Sequence, residues 1–372
     1  MMPSKPQFVG GRETVKLSEI AKIKAGNVAP KKDAFTEDGI PFVRAGSLTN
    51  LLAGGSLADL EKIDCGTAKK LRLTLFPAGT VVFAKSGMSC MTGNVYVLPE
   101  PCYVVSHLAC VIPNGNYASY LKHYFRFNRP NRLIENPSFP SIKLSKIQGI
   151  ELRLPSPEEV VKQVQAIERI ESQIEQAKAL STYLDSLVKS RFVEMFGDPV
   201  SNPKKLRTRP GSALFKIGNG KTKPMSERRE TGYPAYGGNG VSWYSQQSLT
   251  YSPTIIIGRV GRHCGNTRLV NKPCWVTDNA MYIKQFRDNE LNLIYLDELM
   301  QIVDFNRYAD KGDLWKITQR PFMGFNYPLP PLPLQQEFAD FVAQVDKSRF
   351  IAQQQIEKLQ MLYDSLAQEY FE

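Results

Sequence analysis

The chain has 372 residues, 42% of them hydrophobic, and a formal net charge of +11 at pH 7. This length and apolar content suffice for two ordinary domain cores, and no apolar run approaches the roughly 20 residues that span a bilayer. The opening residues, MMPSKPQFVGGRE, lack the apolar core of a secretion signal, and the six cysteines show no CxxC spacing. The sequence therefore predicts a cytoplasmic protein with reduced thiols and argues against membrane and disulfide-rich secreted classes.

The first predicted element is a globular unit of strands and short helices over residues 1–153. Apolar runs bounded by Gly and Pro predict strands at 81–83, 95–97 and 103–105. An aromatic segment at 117–127 predicts a helix.

A long helical region over residues 154–200 follows. Its apolar residues recur at steps of three and four, at Val164, Ile167, Ile170, Ile174, Ala177, Leu180, Leu184 and Leu187. Prolines at 155 and 157 mark its start, and Gly197-Asp198-Pro199 marks its end. Such a helix is about 60 Å long.

A second globular unit is predicted over residues 201–328, with a strand at 255–257 and a helix at 291–305. A second helical region over 329–372 repeats the stripe at Phe338, Val342, Val345, Ala352, Ile356, Leu359, Tyr363 and Leu366. One small domain does not cover so long a stripe, so we expect the two helices to pack on each other, antiparallel. The alternative is that each helix folds onto a domain surface.

The two halves of the chain repeat one another. LPSPEEVVKQV from Leu154 returns as LPLQQEFADFV from Leu332, with an offset of 178 residues between the prolines (333 − 155), and LDSL at 184–187 returns as YDSL at 363–366. Further pairs follow in the same order: 39–43 with 232–236, 80–87 with 254–261, 102–104 with 274–276, and 142–155 with 317–330. The repeats predict an α+β fold with a pseudo-two-fold internal repeat: two mixed β/α domains separated by two long antiparallel, coiled-coil-like helices.

The excess of positive over negative charge lies on the globular units and is absent from the helical regions. Net charges are +9 for residues 1–153, −2 for 154–197, +8 for 198–328 and −4 for 329–372. A polyanion that contacts both units while the helices stay away from it accounts for this distribution. The alternative is a basic protein with no particular ligand.

Motifs for chemistry are scarce. The sequence has no GxGxxG after a strand, no P-loop, no HExxH and only three histidines. His263 beside Cys264 has no second ligand pair at metal-binding spacing, so a structural or DNA-facing role is the better interpretation. Cys102 and Cys274 precede aromatic residues in equivalent places, which predicts buried, inert thiols. We expect no metal, no cofactor and no catalysis in this chain.

Three features now point to a family. The duplication, the phrase FVEMFGDPV from Phe192 and the phrase TIIIGRVGRHCGNTRLVNKPCWVTDNAMY from Thr254 resemble the specificity (S) subunit of type I restriction–modification systems. The proline-rich helix entry LPPLPLQQ from Leu329 is similar to that family as well. The likeness covers essentially the whole chain, although residues 84–90 are a looser version of the corresponding loop in the second half.

The resemblance implies a role in defence against foreign DNA. Each globular unit would be a target recognition domain that reads one half of a split site in double-stranded DNA. The helices would set the gap and dock two methyltransferase (M) subunits, which bind S-adenosylmethionine and methylate adenine. Restriction (R) subunits would join them and cleave with ATP and Mg²⁺. The other functional class left open is a non-catalytic scaffold whose helices bind proteins and whose basic units bind RNA or acidic partners.

Candidate contact residues follow from the repeat. Candidates for DNA binding lie on or beside loops bounded by Gly or Pro: Lys22, Lys24, Lys31, Lys32, Arg44, Lys85 and Ser86, then Lys221, Lys223, Tyr236, Asn239, Arg259, Arg262 and His263. For each one alone, an ordinary solvated side chain is the alternative. The partner-binding helices are represented by Val164, Ile167, Ile174, Leu184, Leu187, Val342, Val345, Ile356, Leu359 and Leu366.

Overall fold

The computed structural model describes residues 12–115, 117–251, 253–287 and 290–372. The chain divides into unit 1, Met1–Glu175 with Ile356–Glu372, and unit 2, Gln176–Gln355. Each unit therefore contains one globular region and one segment of each long helix. Residues 1–11, on which most of the expected absence of a secretion signal rests, lie outside the described residues. The domain boundaries drawn from the sequence stay a prediction.

Unit 1 is built on short strands and helices. Its strands are β1 (Arg12–Lys16), β2 (Ala21–Ala25), β3 (Ile40–Val43), β4 (Lys62–Ile63), β5 (Val81–Ala84), β6 (Val95–Val97), β7 (Tyr103–Val104), β8 (Leu108–Pro113) and β9 (Glu151–Pro155), and its helices are α1 (Leu17–Ile20), α2 (Ser47–Leu52), α3 (Cys65–Lys70), α4 (Ala118–Phe127) and α5 (Leu144–Gln148). β1 pairs with β9, four antiparallel strands follow the order β2-β8-β5-β6, and three follow β4-β3-β7 with β3 and β7 parallel. β5 is buried along its whole length, as its continuous apolar run predicts.

Unit 2 has the same topology. Its strands are β10 (Thr208–Pro210), β11 (Phe215–Asn219), β12 (Tyr233–Gly237), β13 (Gly240–Ser245), β14 (Thr254–Gly258), β15 (Thr267–Val270), β16 (Trp275–Val276), β17 (Ala280–Phe286) and β18 (Asn326–Pro328), and its helices are α7 (Gly211–Leu214), α8 (Leu293–Val303) and α9 (Arg320–Gly324). β10 pairs with β18, and the two sheets follow β11-β17-β14-β15 and β13-β12-β16, with β12 and β16 parallel. The predicted duplication is confirmed strand by strand.

The repeat extends to individual hydrogen bonds. Lys85 N donates to His107 O at 2.9 Å, and Ile142 N donates to Lys85 O at 2.7 Å. In unit 2, Arg259 N donates to Asn279 O and Ile317 N donates to Arg259 O, both at 2.9 Å. Lys85 and Arg259 therefore occupy the same place after a buried strand, as the sequence alignment of the halves predicts.

The long helices, α6 (Pro157–Phe196) and α10 (Leu332–Phe371), have 40 residues each and lie inside the predicted regions. The start of α6 follows capping rules, because Ser156 Oγ accepts from Glu159 N and Pro157 occupies the first turn. Within the described ranges, no helix is both long and apolar enough to cross a bilayer.

Each unit pairs its two helix segments in opposite directions. In unit 2, Phe192 of α6 lies edge-on to Phe338 of α10, while Asp185 pairs with Arg349. Phe192 also stacks on Tyr295 of α8, with ring centroids 5.5 Å apart. In unit 2 the helix segments therefore pack both on each other and on the globular region. The two arrangements that the sequence offered for the apolar stripe are both present.

The stripe residues named as partner-binding are largely internal. Ile167, Ile174, Leu184, Val342 and Val345 are buried. Val164, Leu187, Ile356, Leu359 and Leu366 are half-buried, because the same apolar face closes the cores of the units. Their contact with a partner subunit stays a prediction. Exposed apolar side chains of these helices include Val161, Leu180, Tyr183, Phe350, Ile351, Met361 and Leu362.

Candidate nucleic-acid interface

In unit 2, two loops build a cleft of about 640 Å³. One is the tip of the β12–β13 hairpin, where Gly237 pairs with Gly240 and Asn239 is exposed. The other follows β14 and carries Arg262 and His263, both exposed. The hairpin tip approaches this loop closely, because a Cβ on Gly238 would lie 3.4 Å from Val260 O.

The loop after β14 is held by its backbone, which leaves its side chains free. Asn306 Nδ2 donates to Arg262 O at 3.2 Å and to Cys264 O at 2.8 Å. A Cβ on Gly265 would lie 2.5 Å from Asn306 N, so glycine permits this contact. A fixed backbone presents Arg262 and His263 with little loss of chain entropy on binding.

The cleft is lined by donors suited to nucleic acid. Asn239 offers an amide of the kind that reads adenine, and arginine reads guanine or phosphate. The sequence reasoning missed Arg228, which lines the same cleft with its guanidinium 5.4 Å from the ring centroid of Trp243. The adjacent pair Arg228-Arg229 was the available signal. Asp278 is the acidic side chain among the lining residues.

Tyr236 lies on the other side of the hairpin. It lines a smaller cleft with Asn239 and Arg268, the latter exposed on β15 and also missed from the sequence. Burial raises the pKa of the Tyr236 phenol, so it stays a neutral donor at physiological pH. Lys221 and Arg259 are exposed but do not line the main cleft, although Arg259 Nη1 donates to Asp278 O at 3.4 Å.

Lys223 lines the cleft of the β12–β13 hairpin, but its side chain is largely buried within unit 2. It is 7% exposed, with Nζ 2.9 Å from Glu227 Oε2 and 3.3 Å from Gln247 Oε1. Its ammonium also lies 4.4 Å from the ring centroid of Trp275. These contacts hold the loop between β11 and β12 against β16, so Lys223 has a structural role, and its contact with DNA stays a prediction.

In unit 1 the predicted cations are distributed over several elements. Lys22 and Lys24 are exposed at alternate positions of β2 and therefore share one face. Lys31 and Lys32 are exposed on the loop that follows β2. Ser86 Oγ lies 3.0 Å from His107 Nδ1, next to the half-buried Lys85.

Arg44 is already engaged within unit 1. Its Nε lies 2.7 Å from Glu61 Oε2, and its guanidinium lies over the rings of Phe35 and Phe42. Such stacking and pairing fix an arginine in place. Arg44 is therefore less available than the lysines of β2, and its DNA contact stays a prediction.

The thiols of Cys102 and Cys274 are buried and stay protonated at physiological pH. Burial raises the pKa of Cys102 to about 12, with a smaller effect of Glu100, and burial also raises the pKa of Cys274. Both are fully buried, which confirms the interpretation of inert thiols. Among the described residues, no group of three or more His, Cys, Asp or Glu is placed to hold a metal ion.

Comparison with known families decides the identity. The family model for the type I restriction modification DNA specificity domain matches residues 10–185 and 204–361. The chain belongs to this family. The resemblance seen in the sequence is confirmed, and the two matched segments follow the duplicated halves.

Relatives of the family are distant in sequence. The specificity subunit of the type I restriction enzyme MjaIX from Methanocaldococcus jannaschii is 25% identical over 150 residues, which are 39% of this chain and 34% of that protein. The match thus spans about a third of that relative's length. The EcoprrI specificity subunit of Escherichia coli is 20% identical over 332 residues, which cover 81% of this chain and 79% of that subunit.

Solved structures share the fold. The S subunit of a type I restriction–modification system from M. genitalium matches with a TM-score of 0.61 at 14% identity and covers 99% of both chains. A chain from work on complex assembly and conformational transition of the type I R-M system matches with a TM-score of 0.56 at 18% identity, again over 99% of both chains. The predicted fold class is confirmed.

Proposed function

We propose that this specificity-family chain is the DNA-reading subunit of a type I restriction–modification complex. Each unit reads one half of a bipartite site in double-stranded DNA, and the long helices set the gap between the halves. The observation that carries the proposal is the charge distribution: the globular regions carry +9 and +8, and the helical regions carry −2 and −4. Excess cations on both repeats suit one polyanion contacted twice.

Unit 2 supplies the sharper reading surface. Asn239, Arg262 and Arg228 converge on one cleft from loops with defined backbones. Amide and guanidinium groups form the bidentate contacts that distinguish bases. In unit 1, Lys22 and Lys24 project from one strand face and suit phosphate contacts, which position the duplex without reading its sequence.

The helices dock two methyltransferase subunits. Their exposed apolar side chains support this role, since Tyr183, Phe350 and Ile351 of unit 2 are each 63% exposed. Large exposed apolar side chains are typical of protein interfaces. Catalysis lies outside this chain: the M subunits bind S-adenosylmethionine and methylate adenine, and R subunits join them to cleave DNA with ATP and Mg²⁺.

Methylome sequencing tests the proposal. Cells that lack other adenine methylation would express this chain with its cognate M subunit, and the modified adenines would be mapped. We expect a bipartite sequence with a fixed gap. The same M subunit without this chain is the control and should leave the genome unmodified. Modification at unrelated sequences, or none, would contradict the proposal and favour the scaffold alternative.

A further inference from the structure

Unit 2 has a further polar cleft of about 500 Å³. It lies where α8 and β15 meet the unit's segments of α6 and α10. Its carboxylates are Asp185, Asp297, Glu298 and Asp346, and its cations are Lys189, Arg268 and Arg349. Four carboxylates against three cations favour a cationic ligand over a phosphate.

The charges within the cleft are unevenly matched. The guanidinium of Arg349 forms ion pairs with two carboxylates of the long helices: Nη2 lies 2.7 Å from Asp185 Oδ1, and Nη1 lies 2.6 Å from Asp346 Oδ1. Asp297 is 7% exposed, and its Oδ2 accepts from Leu269 N at 3.1 Å. Its Oδ1 is buried without a hydrogen-bond partner. A buried oxygen of this kind is costly unless a donor reaches it.

Comparison of the two repeats shows which charged group of unit 1 has no counterpart in unit 2. The offset between Ile142 and Ile317 is 175 residues (317 − 142), and the same offset relates Lys122 of α4 to Asp297 of α8. Lys122 Nζ lies 3.6 Å from Glu171 Oε2 in unit 1. Where unit 1 places its own ammonium group, unit 2 therefore places a carboxylate.

The long helix that faces α4 or α8 also differs in charge between the units. The offset of 178 residues (333 − 155) relates Glu168 and Glu171 of α6 to Asp346 and Arg349 of α10. In unit 1, Arg126 Nη1 lies 2.9 Å from Glu171 Oε1 and helps to close the ion-pair network. In unit 2, Arg349 has carboxylates on both sides of it, and Lys189 and Arg268 also line the cleft.

We propose that this cleft accepts a lysine or arginine side chain of the methyltransferase subunit, with Asp297 Oδ1 and the Glu298 carboxylate as acceptors. The inference rests on the proposed function and names a contact of its docking surface. Charge complementarity supports this occupant, because four carboxylates line the cleft against three cations and Asp297 Oδ1 has no hydrogen-bond partner.

Binding should depend on pH near neutrality. Burial first, then Asp297, raises the pKa of Glu298 to about 7, with Asp346 and Asp185 acting in the same direction and Arg349 against them. Lys189 and Arg268 also face the cleft. The ionised form binds a cation, so affinity should be highest above pH 7 and fall as Glu298 takes up a proton below it.

The test measures the affinity of the purified full-length chain for the M subunit from about pH 6 to about pH 8. At about pH 8, Glu298→Gln should weaken binding about 10-fold and flatten the pH dependence. Glu230→Gln removes the same charge from an exposed loop of unit 2 and should behave as wild type. Equal affinity of Glu298→Gln and wild type at about pH 8 would overturn the proposal.

Thermal unfolding of the chain without partner gives an independent readout. Glu298→Gln should leave the midpoint at about pH 8 unchanged or raise it, because it removes a poorly compensated charge. A lower midpoint would mean that Glu298 is already satisfied within the chain and would contradict the inference. The inference would also be contradicted if Mg²⁺ alone stabilised the wild type but not the variant, because the cleft would then bind a metal ion. Failure of the wild type to bind the M subunit at any pH would instead contradict the proposed function.

Discussion

At the scale of single residues, His123 is the most unusual side chain in unit 1. It is fully buried, and neither ring nitrogen has a hydrogen-bond partner. Burial, then Lys122 and Arg126, lowers the pKa of His123 to about 3. The neighbouring carboxylates of Glu168 and Glu171 are engaged by these two cations. The ring is therefore neutral in the fold across the physiological range.

This burial should make unit 1 sensitive to acid. Between pH 6.5 and about 3, the unfolded chain binds a proton at His123 that the folded chain does not, so stability falls as pH falls. His123→Leu removes this dependence. Between neutral pH and about pH 5, the free energy of unfolding should fall by about 2 kcal/mol less in His123→Leu than in the wild type. Urea unfolding at both pH values measures it. His263→Leu, at an exposed position, is the control, and equal acid sensitivity of wild type and His123→Leu would refute the argument.

Asn239 and Arg262 should affect DNA binding in different ways. If Asn239 reads a base, Asn239→Ala should relax one position of the half-site read by unit 2 and cost about 1–3 kcal/mol. If Arg262 contacts phosphate, Arg262→Ala should weaken binding to all sequences and reduce the salt slope by about 1. Binding to a library of sites at several salt concentrations separates these effects. Lys284→Ala, exposed on β17, is the charge-matched control; an unchanged half-site in Asn239→Ala would exclude its reading role.

Sequence reasoning located the site loops but not the state of each side chain. Asn239 and Arg262, which the sequence singled out separately, do meet at one cleft. The contact of Lys223 with Trp275 could not be predicted, because Trp275 is distant in the chain and only the fold brings their side chains together. Arg44 is another case, since its neighbour Glu61 lies on a different loop. Ion pairs between distant segments leave no local pattern.

At the scale of elements, the long helices and the shorter helices α4 and α8 were predictable, and the strands β4 and β16 were not. α6 and α10 carry apolar residues at steps of three and four over many turns, which leaves one secondary structure consistent with the pattern. β4 and β16 have two residues each, and their strand state depends on the neighbours with which they pair. The equally short β7 was predicted only because its two residues lie within an apolar run.

A glycine after the first strand of each four-stranded sheet should be indispensable. A Cβ on Gly26 would lie 2.2 Å from Val105 O, and one on Gly220 would lie 1.9 Å from Thr277 O. Both neighbours are backbone atoms, which yield little. Gly26→Ala and Gly220→Ala should each cost about 1–3 kcal/mol, mainly in their own unit. Hydrogen exchange resolved by unit measures the loss.

Two other glycines serve as matched controls. Gly46 in unit 1 and Gly324 in unit 2 have no atom within 4 Å of an added Cβ. Alanine at either position should change stability little or increase it slightly. If Gly220→Ala is as well tolerated as Gly324→Ala, the close approach of Gly220 to β16 is not a constraint.

At the scale of the whole molecule, the proposed ruler can be tested by changing its length. Inserting about four residues into α6 near Gln173 adds roughly 6 Å of helix, close to two base-pair steps of about 3.4 Å. The methylated sequence should keep both halves and gain a longer gap, which methylome sequencing reads directly. A change in the halves themselves would show that the helices do not set the spacing.

A length-preserving variant controls for altered helix chemistry. Alanine at the exposed positions Ser172, Glu175 and Gln176 keeps 40 residues in α6 and places a strong helix former at each. Its gap should equal that of the wild type. If this variant also changes the gap, the insertion result reflects helix surface rather than length.

The core of unit 1 is completed by residues near the end of the sequence. The ring of Phe371 packs on Tyr120 at 5.4 Å, and Asn128 Nδ2 donates to Phe371 O at 2.9 Å. The ribosome synthesises the chain from its N-terminus to its C-terminus, so Phe371 emerges only after every residue of unit 2. The half that is translated first is thus the half that matures last. We expect the apolar surface that Phe371 covers to stay exposed to chaperones and to aggregation while the second half is made.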